Sequence, residues 1–358
     1  MASDNTIEIK KEEALQLDNL KLFLVEQGLI DDTSCNLTAR KFSGGFSNLS
    51  YLLKVADKEF VLRRPPFGAV KRGHDMSREY KVLSNLYTEF TKIPKVYAFT
   101  NDESIIGAQF YIMEKAEGII LTLPEAKERI ISSTEFKTIS NTWLDTFVEL
   151  HNVDYKSAGL SDLGKPEGYS ERQITNWAKQ YENAKTDDIK ESVSVIKWLK
   201  NNLPKESYSS LIHNDFKYDN VMFKDNSWNE INTILDWEMC TLGDPLMDLG
   251  TSLSYWVTEA DIDPLKKGLA SPTVLPGNPS RIEIVELYSK KSGRNINNLV
   301  FYYVYGLFKL SVIVQQIYYR YHHGHTTDKR FAQLNKHTQL LFTIAWQAIQ
   351  KNKIDNLF

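Results

Sequence analysis

The stretch of residues 211–250 constrains this chain more than any other. Its first half reads His213-Asn214-Asp215-Phe216-Lys217-Tyr218-Asp219-Asn220, polar groups at fixed spacing in an apolar setting. Residues 221–224 then read as a short strand, Asn226 and Ser227 break it, and residues 231–235 form a second strand. That hairpin ends on an acid, Asp236, followed by Trp237 and Glu238, and the run Gly243-Asp244-Pro245-Leu246-Met247-Asp248-Leu249 comes almost at once.

Each polar position suits phosphoryl transfer. Asp215 can orient an attacking hydroxyl and accept its proton. Asn220 follows at the spacing that turns its amide oxygen toward a metal ion, and Lys217 lies between them where an ammonium could reach a γ-phosphate. His213 would hold the loop rather than react. Asp236 falls where protein kinases carry a metal-binding acid, so two carboxylates are expected to converge on one pocket. Two unpaired acids about 4 Å apart repel by roughly 4 kcal/mol at an effective dielectric near 20, so such a pair calls for a cation. Hard oxygen donors with phosphate favour Mg²⁺ over zinc.

With these motifs the sequence resembles the aminoglycoside phosphotransferase and choline kinase superfamily. Within it, the likeness is to the kinase-like domain of acyl-CoA dehydrogenase family members ten and eleven. That likeness rests on Gly44-Gly45-Phe46-Ser47-Asn48, on Phe60-Val61-Leu62-Arg63-Arg64-Pro65-Pro66 with Gly68, and on His74-Asp75-Met76-Ser77-Arg78-Glu79-Tyr80, and it covers the chain from about Phe42 onward. It implies an α+β, two-lobed protein-kinase-like fold, with a small antiparallel β lobe over residues 1–115 and a larger, mainly helical lobe over 116–358. It also implies ATP and Mg²⁺, with the γ-phosphoryl passed to a substrate hydroxyl, and support roles for Asp244 and Asp248.

Composition bounds the alternatives. At 358 residues with 42% hydrophobic content, the chain can bury a large core, and a net charge of −3 gives no sign of a nucleic-acid or anionic-membrane surface. Neither partner is expected. The two cysteines, Cys35 and Cys240, have no metal-ligand spacing, and the first residues lack an apolar leader, so the cytosol is the expected compartment. Residues 299–319 are the most membrane-like run, but Lys309, Gln315 and Gln316 interrupt it and a buried helix fits better.

In chain order, residues 17–24 carry one apolar helical face that ends near Gly28. Strands follow at 37–42, 49–55 and 59–63. The loop between the first two would bring Gly44, Gly45, Ser47 and Asn48 to the phosphates of a nucleotide. Arg63 occupies the place of the usual nucleotide-binding lysine, although strand alternation alone leaves open whether Arg63 or Arg64 faces inward. Glu79, on a helix over 77–87, is the expected partner of Arg63. Strands over 95–99 and 108–113 lead to a hinge, where the backbone of Glu114 and Ala116 would meet adenine by resemblance. Helices are expected over 136–151, 171–183, 188–202, 245–257, 281–291, 297–321 and 327–351, with an irregular loop over 261–279. His151, Trp177 and Trp198 read as core or capping groups.

The short interval from Asp236 to the next helix argues against a peptide acceptor. A small molecule bearing a hydroxyl is expected instead, a hydroxyacyl-CoA by the resemblance, or an aminoglycoside or amino alcohol by the wider family. No dehydrogenase segment is present, so that chemistry is expected from another protein. The rival of another class is a nucleotide-binding pseudokinase, which Arg63 in place of lysine and the missing glycine after Asp236-Trp237 would favour.

Overall fold

The protein is described here by a computed structural model covering residues 6–43, 48–67, 75–205 and 208–358. The chain divides into two compact units. The first comprises Met1–Ile119, Lys156–Leu160 and Asn232–Cys240; the second comprises Ile120–Tyr155, Ser161–Ile231 and Thr241–Phe358.

The first unit is built on an antiparallel sheet. Strands β1 (Thr6–Ile7), β2 (Leu37–Phe42), β3 (Leu49–Val55), β4 (Lys58–Arg64), β5 (Val96–Thr100) and β6 (Phe110–Glu114) lie in the order β1-β2-β3-β4-β6-β5. Alternation sets the buried face: Tyr51, Leu53 and Val55 of β3 join Phe60 and Leu62 of β4 in one core. Helix α1 (Leu17–Glu26) adds Leu20, Phe23 and Leu24, and the Phe23 ring meets Phe110 edge-on at 5.1 Å. Gly28, at φ +66°, ends that helix in the left-handed conformation that glycine adopts without strain. Helix α2 (Met76–Leu86) starts at Asp75, whose carboxylate accepts the backbone N–H groups of Ser77 and Arg78. This cap fixes the rotation of α2 so that Glu79 is buried.

Strands β7 (Ile119–Ile120) and β10 (Ile231–Ile234) carry the chain from one unit to the other. The second unit is mainly helical: α3 (Leu123–Glu128), α4 (Ser133–His151), α5 (Tyr169–Ala184), α6 (Lys190–Asn201), α7 (Pro245–Tyr255), α8 (Asp263–Leu269), α9 (Arg281–Ser292), α10 (Leu299–His322) and α11 (Leu334–Lys351). Capping boxes, Ser132 with Glu135 and Ser280 with Glu283, start α4 and α9. Strand β8 (Ser210–Ile212) pairs antiparallel with β11 (Thr241–Gly243), and β9 (Val221–Phe223) follows the polar loop. The core is aromatic, with Phe147 stacked on Phe216 at 4.4 Å and Trp143 against Phe216 at 5.1 Å.

Two expectations fail locally. The segment expected to be irregular over 261–279 contains α8 and a 3₁₀ turn at Pro272–Val274, because Pro264 and Pro272 sit at first-turn positions where a missing N–H costs nothing. The last helix begins at Leu334 rather than 327, since Asp328 caps a separate 3₁₀ turn at Lys329–Phe331. Helix α10 is long and apolar enough to cross a membrane, but 72% of its most apolar window is buried inside the structure.

Helices α7 and α10 cross in close contact at two glycines. A Cβ on Gly306 would lie 2.0 Å from the Gly250 carbonyl oxygen, and one on Gly250 would lie 2.1 Å from that of Tyr302. Both obstacles are backbone, so relief requires moving a helix. Gly306→Ala is therefore predicted to destabilise the protein by roughly 1–3 kcal/mol or more, read as a lower urea midpoint, whereas Gly293→Ala, which meets nothing within 4 Å, is limited to the strain of φ +70°.

Candidate active site

In the first unit, the local structure gathers three acids around one guanidinium. Arg63 pairs across the sheet with Ser50 on β3 and Tyr111 on β6. Its Nε donates to Glu79 Oε2 at 3.1 Å, and its Nη2 lies 2.5 Å from Asp236 Oδ1 and 3.5 Å from Glu238 Oε2. Arg64, on the opposite face of β4, donates instead to the carbonyls of Pro65 and Ile106 and stacks on Phe67. Alternation thus commits Arg63 to the acids and Arg64 to the scaffold.

Burial acts against the Arg63 charge, but Glu79 and Asp236 outweigh it, so its pKa stands well above the ordinary value. Burial pushes the Glu79 carboxyl up, against the pull of Arg63. Tyr111 also hydrogen-bonds Glu79, a contact that no sequence spacing announced. Asp236 itself takes a left-handed backbone at φ +64°, which aspartate tolerates better than most residues, and the Trp237 indole N–H ties the turn to the Ile234 carbonyl at 2.9 Å. Glu238 accepts a hydrogen bond from Asn48 Nδ2 at 2.8 Å. Asn48, expected to face phosphate, is therefore turned to a protein carboxylate. Gly44, Gly45 and Ser47 lie outside the described residues. The Glu114 N–H donates to the Lys95 carbonyl at 2.8 Å, so it is not open to a base, while Ala116 lies in the half-buried stretch after β6.

In the second unit, the polar loop converges on Asp215. Asn220 Nδ2 donates to Asp215 Oδ2 at 2.6 Å and to the Asp215 carbonyl at 2.9 Å, and Lys217 Nζ lies 3.1 Å from Oδ2. Lys217 also sits 4.6 Å over the Tyr255 ring, whose hydroxyl hydrogen-bonds Asp215. Burial works against the Lys217 charge, but Asp215 and Tyr255 raise its pKa above the ordinary value.

The loop backbone is held by Asp248 on α7. Its Oδ2 accepts the His213 N–H at 2.7 Å and its Oδ1 the Asn214 N–H at 2.8 Å. The His213 ring is wholly buried, and its Nδ1 accepts the Asp215 N–H at 3.3 Å, so His213 holds the loop. His151 lies 3.2 Å from Asp248 through Nε2 and 2.7 Å from the Tyr288 hydroxyl through Nδ1. Burial depresses the His151 pKa. Asp244 caps α7 through the Leu246 N–H at 2.9 Å.

Each unit carries an oxygen donor of the kind Mg²⁺ takes. In the second unit the amide nitrogen of Asn220 is committed to Asp215, which leaves its oxygen for a hard cation; in the first unit Asp236 carries a carboxylate that Arg63 meets through Oδ1. Among the described residues no group of three or more His, Cys, Asp or Glu side chains could hold a metal ion. Mg²⁺ needs none, since it binds through one or two protein oxygens with phosphate and water.

Two outcomes test this electrostatic frame. Arg63→Ala leaves the buried Glu79 without its cation and is predicted to cost roughly 3–5 kcal/mol in urea unfolding, with a much smaller cost when Glu79→Leu is added. Burial raises the Asp244 carboxyl from 3.8 to about 6. Its folded form thus binds protons more readily than the unfolded form, and its contribution to stability is lost as pH rises through that interval. Asp244→Asn, still a capping residue, should gain melting temperature relative to the parent as pH goes from about 4 to about 7.

Comparison with known proteins gives this geometry its place. Residues 38–282 match the phosphotransferase enzyme family. The chain is 31% identical over 352 residues to acyl-CoA dehydrogenase family member 10 of Mus musculus, covering 97% of this chain and 32% of that protein. It is 30% identical over 375 residues to acyl-CoA dehydrogenase family member 11 of Gallus gallus, covering 99% of this chain and 47% of that protein. It therefore spans less than half the length of those relatives. A crystal structure of a candidate aminoglycoside phosphotransferase from Ralstonia eutropha superposes with a TM-score of 0.78 at 28% identity, over 94% of this chain and 99% of that one. With a kinase-like mixed α+β fold and a matching family region over most of its length, the chain belongs to the phosphotransferase enzyme family.

Proposed function

We propose that this phosphotransferase moves the γ-phosphoryl group of Mg·ATP to a hydroxyl on a small molecule, and that the acceptor is a hydroxyacyl-CoA or a similar hydroxy-acid derivative. The observation that carries the reading is the Asp215 loop: one carboxylate with an ammonium and an amide aimed at it, on a backbone held by Asp248. The names of the relatives favour an acyl-CoA-linked acceptor, while the wider family favours an aminoglycoside or amino alcohol as the second choice. Neither Cys35 nor Cys240 is in a disulfide, which suits the cytosol as the site of reaction.

The reaction balances simply. The acceptor oxygen forms a bond to γ-phosphorus, the bond from that phosphorus to the β,γ-bridging oxygen breaks, and ADP leaves. Asp215 takes the hydroxyl proton and releases it to solvent. Mg²⁺, when bound, neutralises phosphate charge, and Asn220 and Asp236 are the residues that would hold it. Lys217 stabilises charge on the transferred group while its contact with Asp215 orients both. Arg63, fixed by Glu79, offers a planar fork to the α- and β-phosphates in place of the usual lysine.

The test is ADP release from Mg·ATP against hydroxyacyl-CoAs, aminoglycosides and amino alcohols. Asp215→Asn should lower kcat by roughly 10²–10⁴-fold with ATP affinity little changed, and Asp236→Ala should abolish turnover in a folded protein. Undiminished turnover in either variant would sink the assignment. Tight nucleotide binding with no acceptor-dependent ADP release would favour a nucleotide-binding module.

A further inference from the structure

Lys309 is a buried cation that the proposed chemistry does not use. It projects from α10, is 1% exposed, and among the described residues has no carboxylate within ion-pair distance. Its Nζ donates to the Asn214 carbonyl at 2.7 Å and to Asn214 Oδ1 at 3.2 Å, and it lies 6.0 Å from the Trp177 ring centroid. An ammonium satisfied only by neutral acceptors is a costly thing to bury, and burial lowers its pKa to about 8 despite Asp248 and Asp215. An apolar side chain of the same length would fill that space at less cost.

What the ammonium touches explains its presence. The Asn214 carbonyl belongs to the peptide that joins Asn214 to Asp215, and the N–H of that same peptide donates to His213 Nδ1. The two preceding peptides present their N–H groups to Asp248. All three peptides leading into Asp215 are thus pinned, and Lys309 is the side chain that pins the last by its oxygen. Asn214 has φ +68°, a left-handed conformation that an unheld peptide could leave by flipping. Its amide is further held by Nδ2 donating to the Tyr169 hydroxyl at 3.3 Å. Lys309 lies one turn beyond Gly306, whose close crossing with Gly250 brings α10 against α7.

We propose that Lys309 is a positioning residue of the phosphotransfer loop: by holding the Asn214 carbonyl it fixes the plane of the Asn214–Asp215 peptide, and so the direction in which Asp215 presents its carboxylate. The inference rests on Asp215 acting as the base, and its test reads the loop both with and without turnover.

Amide hydrogen exchange is measured on the full chain and on Lys309→Met, which keeps length and volume while removing the donors. The His213, Asn214 and Asp215 amides should exchange roughly tenfold faster or more in the variant, with α7 and α10 unchanged. With the acceptor that gives ADP release, kcat should fall roughly 10–100-fold at nearly constant KM for ATP. Melting temperature should stay near the parent's, because the variant also removes a buried charge. Added to Asp215→Asn, Lys309→Met should cause no further loss of rate.

Unchanged loop exchange overturns the proposal, as does a full additional rate loss in the Asp215→Asn background. Lys309→Gln, too short to reach the carbonyl, serves as the second variant should the methionine form fail to fold; parent-like exchange there also overturns it. Turnover that survives Asp215→Asn would instead defeat the assignment of the base, and the exchange result would still decide whether Lys309 holds the loop.

Discussion

The carboxylate of Asp248, buried in the first turn of α7, accepts the consecutive N–H groups of His213 and Asn214. Without it those two amides would be buried and unpaired, and the loop carrying Asp215 would have no reason to keep its left-handed turn at Asn214. Burial acts against the Asp248 charge, but hydrogen bonding to His151 and its neighbours more than offsets this, so its pKa lies below the ordinary value. Much of the second unit serves that arrangement: Asp244 and Pro245 start the helix, Gly250 lets α10 approach, and His151, held by Tyr288, contacts Asp248 from α4.

Much of this was legible in the sequence because it is written locally. The polar spacing from His213 to Asn220, the hairpin ending on Asp236, and the Asp-Pro start of α7 each depend on near neighbours, and the strands 37–42 and 49–55 follow from alternation. The partnership of Arg63 with Glu79 was also readable, from motif order and helix phase. The choice between Arg63 and Arg64 was not, since each lies on an opposite face of one strand and both faces are buried here. Packing with Ile106 and Phe67 on one side and the acids on the other decides it.

What escaped was carried by long-range contacts. Glu238 was visible two residues after Asp236, yet its pairing with Asn48 joins positions separated by most of the small sheet and half the chain. Lys309 gave a signal of its own as the lone charge in an apolar run, but that signal says only that the lysine has a buried partner, not that the partner is the Asn214 carbonyl. His151 read as a core or capping histidine, which its burial matches, while its link to Asp248 needed α4 and α7 to be packed together. The start of α11 was missed because Asp328 captures a short turn where helix periodicity still ran on.

The central claim is that the γ-phosphoryl group of Mg·ATP ends on a carbon-bound oxygen. Phosphorus NMR of the protein with Mg·ATP and each acceptor class tests it most directly. The account predicts that the γ-phosphate signal gives way to a phosphate-monoester resonance as ADP appears, with one acceptor class and not the others. Conversion of ATP only to inorganic phosphate, or an unchanged ATP spectrum with saturated nucleotide across all three classes, would contradict it.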